Sequence, residues 1–199
     1  MQIEIGARVR TRDGRHIGDV HRVIVDLQDS AVTGIVVLKG RFLSRDVLVP
    51  IDFVDRVEGD DVVLTLDEHE LDQLPDFAFN EILAPPPTWT AGPYPDGTFY
   101  VPVRQRKRLG EHHVDLTPGT RVHASDGEVG RVHEIELDPL TGELDAFWIR
   151  ADGIFGHDVR IPAEWVERAD DSGVYVNASR SDIEKRLGPQ SRGLLSRAS

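Results

Sequence analysis

The feature that most constrains this chain is that it repeats itself. Gly6-Ala7-Arg8-Val9 recurs as Gly119-Thr120-Arg121-Val122, and Asp13-Gly14 recurs as Asp126-Gly127. After a one-residue deletion, Gly18-Asp19-Val20-His21 recurs as Gly130-Arg131-Val132-His133. The match then runs on without a gap at a constant offset of 112: Asp26 with Asp138, Asp46-Val47 with Asp158-Val159, Pro50 with Pro162, Val62 with Val174. A fixed period over some 60 positions is the signature of a duplicated structural unit. The chain therefore divides into a copy at 1–75, a connecting segment at 76–116, a second copy at 117–188 and a tail at 189–199.

Within each copy the hydrophobic period is two, the strand period. In the first, the expected strands are Ala7–Thr11, Gly18–Asp26, Val32–Leu38, Asp46–Val49, Phe53–Val57 and Val62–Leu66. Asp13-Gly14 is a tight-turn signal, because glycine accepts positive φ. Gly18 and Gly130 sit inside strand patterns, where glycine marks a bulge or a close backbone approach. Ile35-Val36-Val37-Leu38 is apolar without alternation, which suggests burial on both faces. Each copy then changes period. Asp67 is followed three residues on by Glu70, and Ser179 by Asp182, so a short capped helix closes each unit. Six short strands and one helix suit a small closed sheet, since closure removes exposed edges.

Composition limits what such a fold can do. The net charge is −12, from 23 basic and 35 acidic residues, and it is spread along the chain. No segment offers a basic face for a phosphate backbone, so no nucleic-acid partner is expected. Arg104-Gln105-Arg106-Lys107-Arg108 is the one basic run, and an acidic surface of the same chain is a fitting neighbour for it. Cysteine is absent, which excludes disulfides and thiolate chemistry. The longest apolar runs are four or five residues, against the roughly 20 that a membrane helix needs. No leader pattern opens the chain. A cytoplasmic protein with no integral membrane segment is expected.

Candidate chemistry is sparse. His21 and His133 occupy equivalent positions, each after a valine, and read as half-exposed strand residues. His112-His113 in the connecting segment reads as a surface pair. Nucleophile elbows, P-loops, His-Glu-x-x-His and carboxylates paired on a helix face do not occur. The expectation is no enzyme, no catalytic residue, no metal and no cofactor.

These residues resemble the PRC-barrel family, whose members include the cytoplasmic domain of the photosynthetic reaction-centre H subunit and the C-terminal domain of a ribosome maturation factor. The resemblance rests on Gly6…Val9…Asp13-Gly14…Ile17-Gly18-Asp19-Val20…Asp26 and on Gly119…Val122…Asp126-Gly127…Val129-Gly130-Arg131-Val132…Asp138. A Val49-Pro50 or Ile161-Pro162 step follows in each. It implies a mainly β chain of two small SH3-like barrels joined by a Pro/aromatic-rich segment. The family pattern is structural and carries no catalytic residues. A non-catalytic, protein-binding adaptor is the function implied. The alternatives are a peripheral component of a membrane electron-transfer complex, as the H subunit suggests, and a ribosome-assembly factor.

The connecting segment departs from an ordinary tether. Pro85-Pro86-Pro87 favours an extended path. Yet the segment holds Phe77, Phe79, Trp89, Tyr94, Phe99 and Tyr100, nearly half of the chain's aromatics, and disordered linkers are poor in them. It is expected to pack those rings on the barrels or in a homodimer interface, with Thr98–Val103 as an added edge strand. In the second copy, Trp165 matches Phe53 and is expected in the core. Trp148 matches Val36 and follows Phe147, so alternation turns one of that pair outward. Trp89, Tyr94, Phe99, Tyr100 and Trp148 are the candidate partner surface, its protein partner unidentified.

Overall fold

The alternating stretches become strands in the same order in both halves. The structure, a computed structural model, describes residues 1–40, 45–82, 103–110, 112–138, 141–151, 158–170 and 172–187. The first half contains β1 (Gln2–Glu4), β2 (Arg8–Arg10), β3 (His16–Asp26), β4 (Ala31–Lys39), β5 (Arg45–Pro50), β6 (Val54–Glu58) and β7 (Asp61–Leu64). Helix α1 (Glu68–Asp72) follows. The middle of the chain contributes β8 (Ala78–Ile82), β9 (Val103–Lys107) and β10 (His113–Leu116). The second half contains β11 (Arg121–Ala124), β12 (Gly127–Leu137), β13 (Leu144–Ala151), β14 (Asp158–Pro162), β15 (Val166–Asp170) and β16 (Gly173–Val176), then α2 (Arg180–Leu187). After Pro50 and after Pro162 a single 3-10 turn intervenes, at Ile51–Phe53 and Ala163–Trp165.

Two seven-stranded sheets result, compatible with two small barrels. One runs β5-β4-β3-β2-β7-β6 with β10 added on β3. The other runs β14-β13-β12-β11-β16-β15 with β1 added on β12. The pairs β2–β7 and β11–β16 are parallel, and the remaining pairs in these sheets are antiparallel. The second sheet thus repeats the strand order of the first, as the constant sequence offset requires.

The added strands are exchanged. β1 opens the first half yet pairs with β12 of the second, Ile3 opposite Ile135. β10 stands just before the second half yet pairs with β3 of the first, Leu116 opposite Val23. The cause lies in strand lengths. β3 has eleven residues, but three-residue β2 pairs only as far along it as Asp19, which leaves Val23–Asp26 without a neighbour on that side. β12 is left short in the same way by β11, whose pairing stops at Arg131. Open backbone of this kind recruits a strand. Gly6 (φ 106°) and Gly119 (φ 112°) stand between each lent strand and the first strand of its own half. That left-handed bend is one only glycine adopts without strain, and it turns the chain from one sheet into the other.

Burial follows from the exchange. Ile3 and Leu116, the inward residues of the lent strands, are buried in a single apolar core that contains residues of both sheets. The halves also touch at their hairpin ends, where Leu144 N–H donates to the Ser30 carbonyl (2.7 Å) and Ala31 bridges Glu143. At Gly18 a Cβ would lie 2.1 Å from the Leu38 carbonyl oxygen, so the close approach expected there is present. α1 carries its capping box: Asp67 accepts from Glu70 N–H, and Glu70 accepts from Asp67 N–H, both at 2.9 Å. At the start of α2 the Ser179 hydroxyl accepts from Asp182 N–H (3.1 Å) and the Asp182 carboxylate accepts from Ser179 N–H (3.2 Å).

Three expectations are corrected. Of the strand expected at Thr98–Val103, residues 98–102 lie outside the described residues; Val103 starts β9, which pairs with β8 in a separate two-stranded sheet and not with a barrel edge. Trp165 is half-buried in the 3-10 turn, because the turn after Pro162 lifts it out of the strand register; Phe53 does the same after Pro50. Trp148 lies on the outer face of its sheet, opposite Phe147 in the core, but is not exposed there: both residues are buried. β13 is central, and the register flanks Trp148 with Glu134 on one side and Arg160 on the other, so long side chains wall its outer face.

Candidate functional site

The two sheets present different chemistry on their outer faces. On the first sheet, Ile24, Val36 and Phe77 form a second apolar cluster, with Leu48 and Leu109 packed against it. The chain after α1 seals that face. Leu48 N–H donates to the Pro75 carbonyl (3.0 Å) and Phe77 N–H to the Asp46 carbonyl (2.8 Å), so Pro75–Phe77 cover the edge of β5. The Arg22 guanidinium lies over the Phe77 ring, 5.6 Å from its centroid. At an offset of 112, the positions of Ile24, Val36 and Leu48 hold Glu136, Trp148 and Arg160 in the second sheet. There Arg160 Nε donates to Glu136 at 2.7 Å and a second nitrogen pairs with Asp145. One frame therefore carries an apolar face that covers itself and a charged face.

Each sheet also holds a His–Asp pair at the same place. His21 Nδ1 lies 2.9 Å from an Asp46 oxygen, and His133 Nε2 lies 3.5 Å from an Asp158 oxygen. Each histidine sits where a β-bulge shifts the register, between Val20 and Arg22 or between Val132 and Glu134. The bulge lets the ring reach over the intervening strand, β4 or β13, to the edge strand beyond. The sequence showed both histidines and both aspartates as matched positions. It could not show the pairing, because one strand separates the partners.

A cleft of about 890 Å³ opens between the sheets, under β10. β3, β10 and the end of β9 form one wall; the start of the second half and the β15–β16 turn form the other. Asp115, its side chain 7% exposed, holds Arg22 at 2.6 Å and Lys107 at 2.9 Å. Across the cleft, Arg121 and Arg131 both approach Glu128, at 3.8 and 3.7 Å. Asp170 lies on the same side. The Ser172 N–H, with the Arg168 guanidinium, holds its carboxyl below the usual carboxylate range. The cleft was missed in the sequence because its cations lie far apart there and meet only through the strand exchange. Part of the basic run did find an acidic neighbour, since Lys107 reaches Asp115.

Of the candidate partner surface, Trp89, Tyr94, Phe99 and Tyr100 lie outside the described residues, and Trp148 is buried in the charged face. Phe77 packs on the first sheet as the aromatic content of the segment implied. Among the described residues, no three His, Asp or Glu side chains converge as a metal site. Nor, among them, is any helix long and apolar enough to cross a membrane. A search of curated proteins finds no match. Residues 5–71, the stretch that supplies every strand of the first sheet except the one lent by β10, match the family model of the PRC-barrel domain.

Proposed function

We propose that the second sheet is a second PRC barrel, and that the chain is a tandem PRC-barrel protein acting without catalysis as a protein-binding adaptor in the cytoplasm. The observation that supports this reading is the repetition of the matched segment's strand order, strand for strand, in the second half. A duplicated frame with two differently finished outer faces suits a protein that holds two things in a fixed relation. The first face is closed by the chain's own Phe77. The second, with Glu136, Asp145 and Arg160 beside the buried Trp148, offers charged and polar groups, the ordinary chemistry of a reversible contact.

The test is purification of the tagged full-length chain from its own cells at native expression, followed by fractionation. A stoichiometric soluble protein partner whose association is lost in the charge-reversed variant Arg160→Glu is the expected result. Recovery with a membrane electron-transfer complex would favour the H-subunit-like alternative. Recovery with the small ribosomal subunit would favour the assembly-factor alternative.

A further inference from the structure

We propose that the cleft between the two sheets binds a small multivalent oxyanion, a phosphate or polycarboxylate, and that its charge-bearing walls come from both halves of the chain. In a protein of net charge −12, the walls gather Arg22, Lys107, Arg121 and Arg131, while the described carboxylates that line them are Asp115 and Asp170. The pairing is uneven. Arg22 and Lys107 share one carboxylate, Asp115, and Arg121 and Arg131 share another, Glu128. With Asp170 counted, four cations face three carboxylates, Asp115, Glu128 and Asp170, and one positive charge is left uncompensated, which favours an anion.

The two sides differ in what they have free. Arg22 and Lys107 are committed to Asp115 at hydrogen-bond distance. Arg121 and Arg131 stand 3.7–3.8 Å from Glu128, beyond a good hydrogen bond, and are about half exposed; Arg131 spends one nitrogen on the Gly119 carbonyl (3.1 Å), which leaves the Arg121 fork and the other Arg131 nitrogen available. Arg22 Nε is buried with no hydrogen-bond partner among the described residues, so one donor on the opposite wall is also unspent. Guanidinium forks match phosphate and carboxylate oxygens two at a time. Since β10 belongs to the first sheet and β11 to the second, a ligand in this position would tie the two halves together.

Titration of the full-length protein with inorganic phosphate and, separately, citrate tests the site. Calorimetry and thermal unfolding give the readout, with sodium chloride at matched ionic strength as the reference, because any salt screens the self-repulsion of an acidic chain. The expected result is saturable binding of one of the two anions that chloride does not reproduce; which one saturates identifies the source. Arg121→Gln should weaken it about tenfold, the loss of one charge-assisted contact. Asp170→Asn, which keeps the oxygen that accepts from Ser172 and removes a repelling charge, should tighten it. A purely structural role for these residues would not give changes of opposite sign. Stabilisation that follows ionic strength alone, or a dissociation constant unchanged in both variants, overturns the proposal.

Discussion

Trp148 and Val36 occupy the same place in the repeat, and the contrast between them shows what residue-level pattern can and cannot convey. Val36 lies under Phe77 in an apolar cluster. Trp148 is 7% exposed between Glu134 and Arg160, and its indole N–H is buried with no hydrogen-bond partner among the described residues. A buried donor left without a partner costs about 1–3 kcal/mol. Trp148→Phe removes that donor and a modest apolar area worth about 1 kcal/mol. The two changes offset each other, so its stability should stay within about 1 kcal/mol of the parent in denaturant unfolding. Trp148→Ala empties the site and should cost about 3–5 kcal/mol. A loss above about 2 kcal/mol in the phenylalanine variant would mean that the indole N–H makes a bond that matters. Alternation along β13 correctly identified a two-faced strand. It could not say that both faces are covered, because that depends on the lengths of side chains on β12 and β14. The His–Asp pairs were half legible for the same reason: the repeat marked all four residues, and only the strand order brings them together.

At the scale of elements, strand existence was legible and strand partnership was not. The period-two stretches and the capping boxes became strands and helices close to their expected limits. β1 went unread, since three residues ahead of a glycine are too few to show a period. By sequence alone β10 is part of a connecting segment, since nothing in His113–Leu116 says which sheet it joins. The exchange makes a crosswise prediction. Ile3 is fully buried against the second sheet, so Ile3→Ala should cost about 2–5 kcal/mol. Its local effect should appear in hydrogen exchange at Leu137, whose N–H donates to the Met1 carbonyl, before it appears anywhere on β3. Leu116→Ala should do the reverse, loosening the Leu27 amide that donates to His112. Equal loss of protection on both sheets from either variant would contradict the exchange. α1 adds a pH-dependent element. The Glu70 N–H holds the Asp67 carboxyl below its ordinary range, helped by the Arg12 guanidinium. A carboxylate depressed in the folded state stabilises above its unfolded pKa and loses that contribution as pH falls through the folded one. Asp67→Asn keeps the capping oxygen and drops the charge. The thermal midpoints of parent and variant should therefore differ at neutral pH and converge on acidification through the carboxylate range.

At the scale of the molecule, the duplicated sequence suggests two beads on a string, and the exchange of strands makes that picture wrong. Neither half owns all seven strands of its sheet. β1 lends Ile3 to the second sheet and β10 lends Leu116 to the first, and the hairpin ends meet at Ser30 and Leu144. Reciprocal exchange of equivalent elements is how identical subunits swap domains, and here both partners are in one chain. The covalent connection between β8 and β9 is then not what keeps the halves together. If a specific protease site is placed between residues 83 and 102 of the full-length chain and cut, the two fragments should still elute as one species at micromolar concentration. They should separate only in denaturant. The uncut chain should unfold in a single calorimetric transition whose measured enthalpy equals the van't Hoff value, because the core contains residues of both sheets. After cutting, association becomes bimolecular, so the midpoint should fall on dilution, which an intact chain does not show. Fragments that part under native conditions, or two resolved transitions in the uncut chain, would mean that each half is complete alone and that β1 and β10 contribute little to the sheets they join.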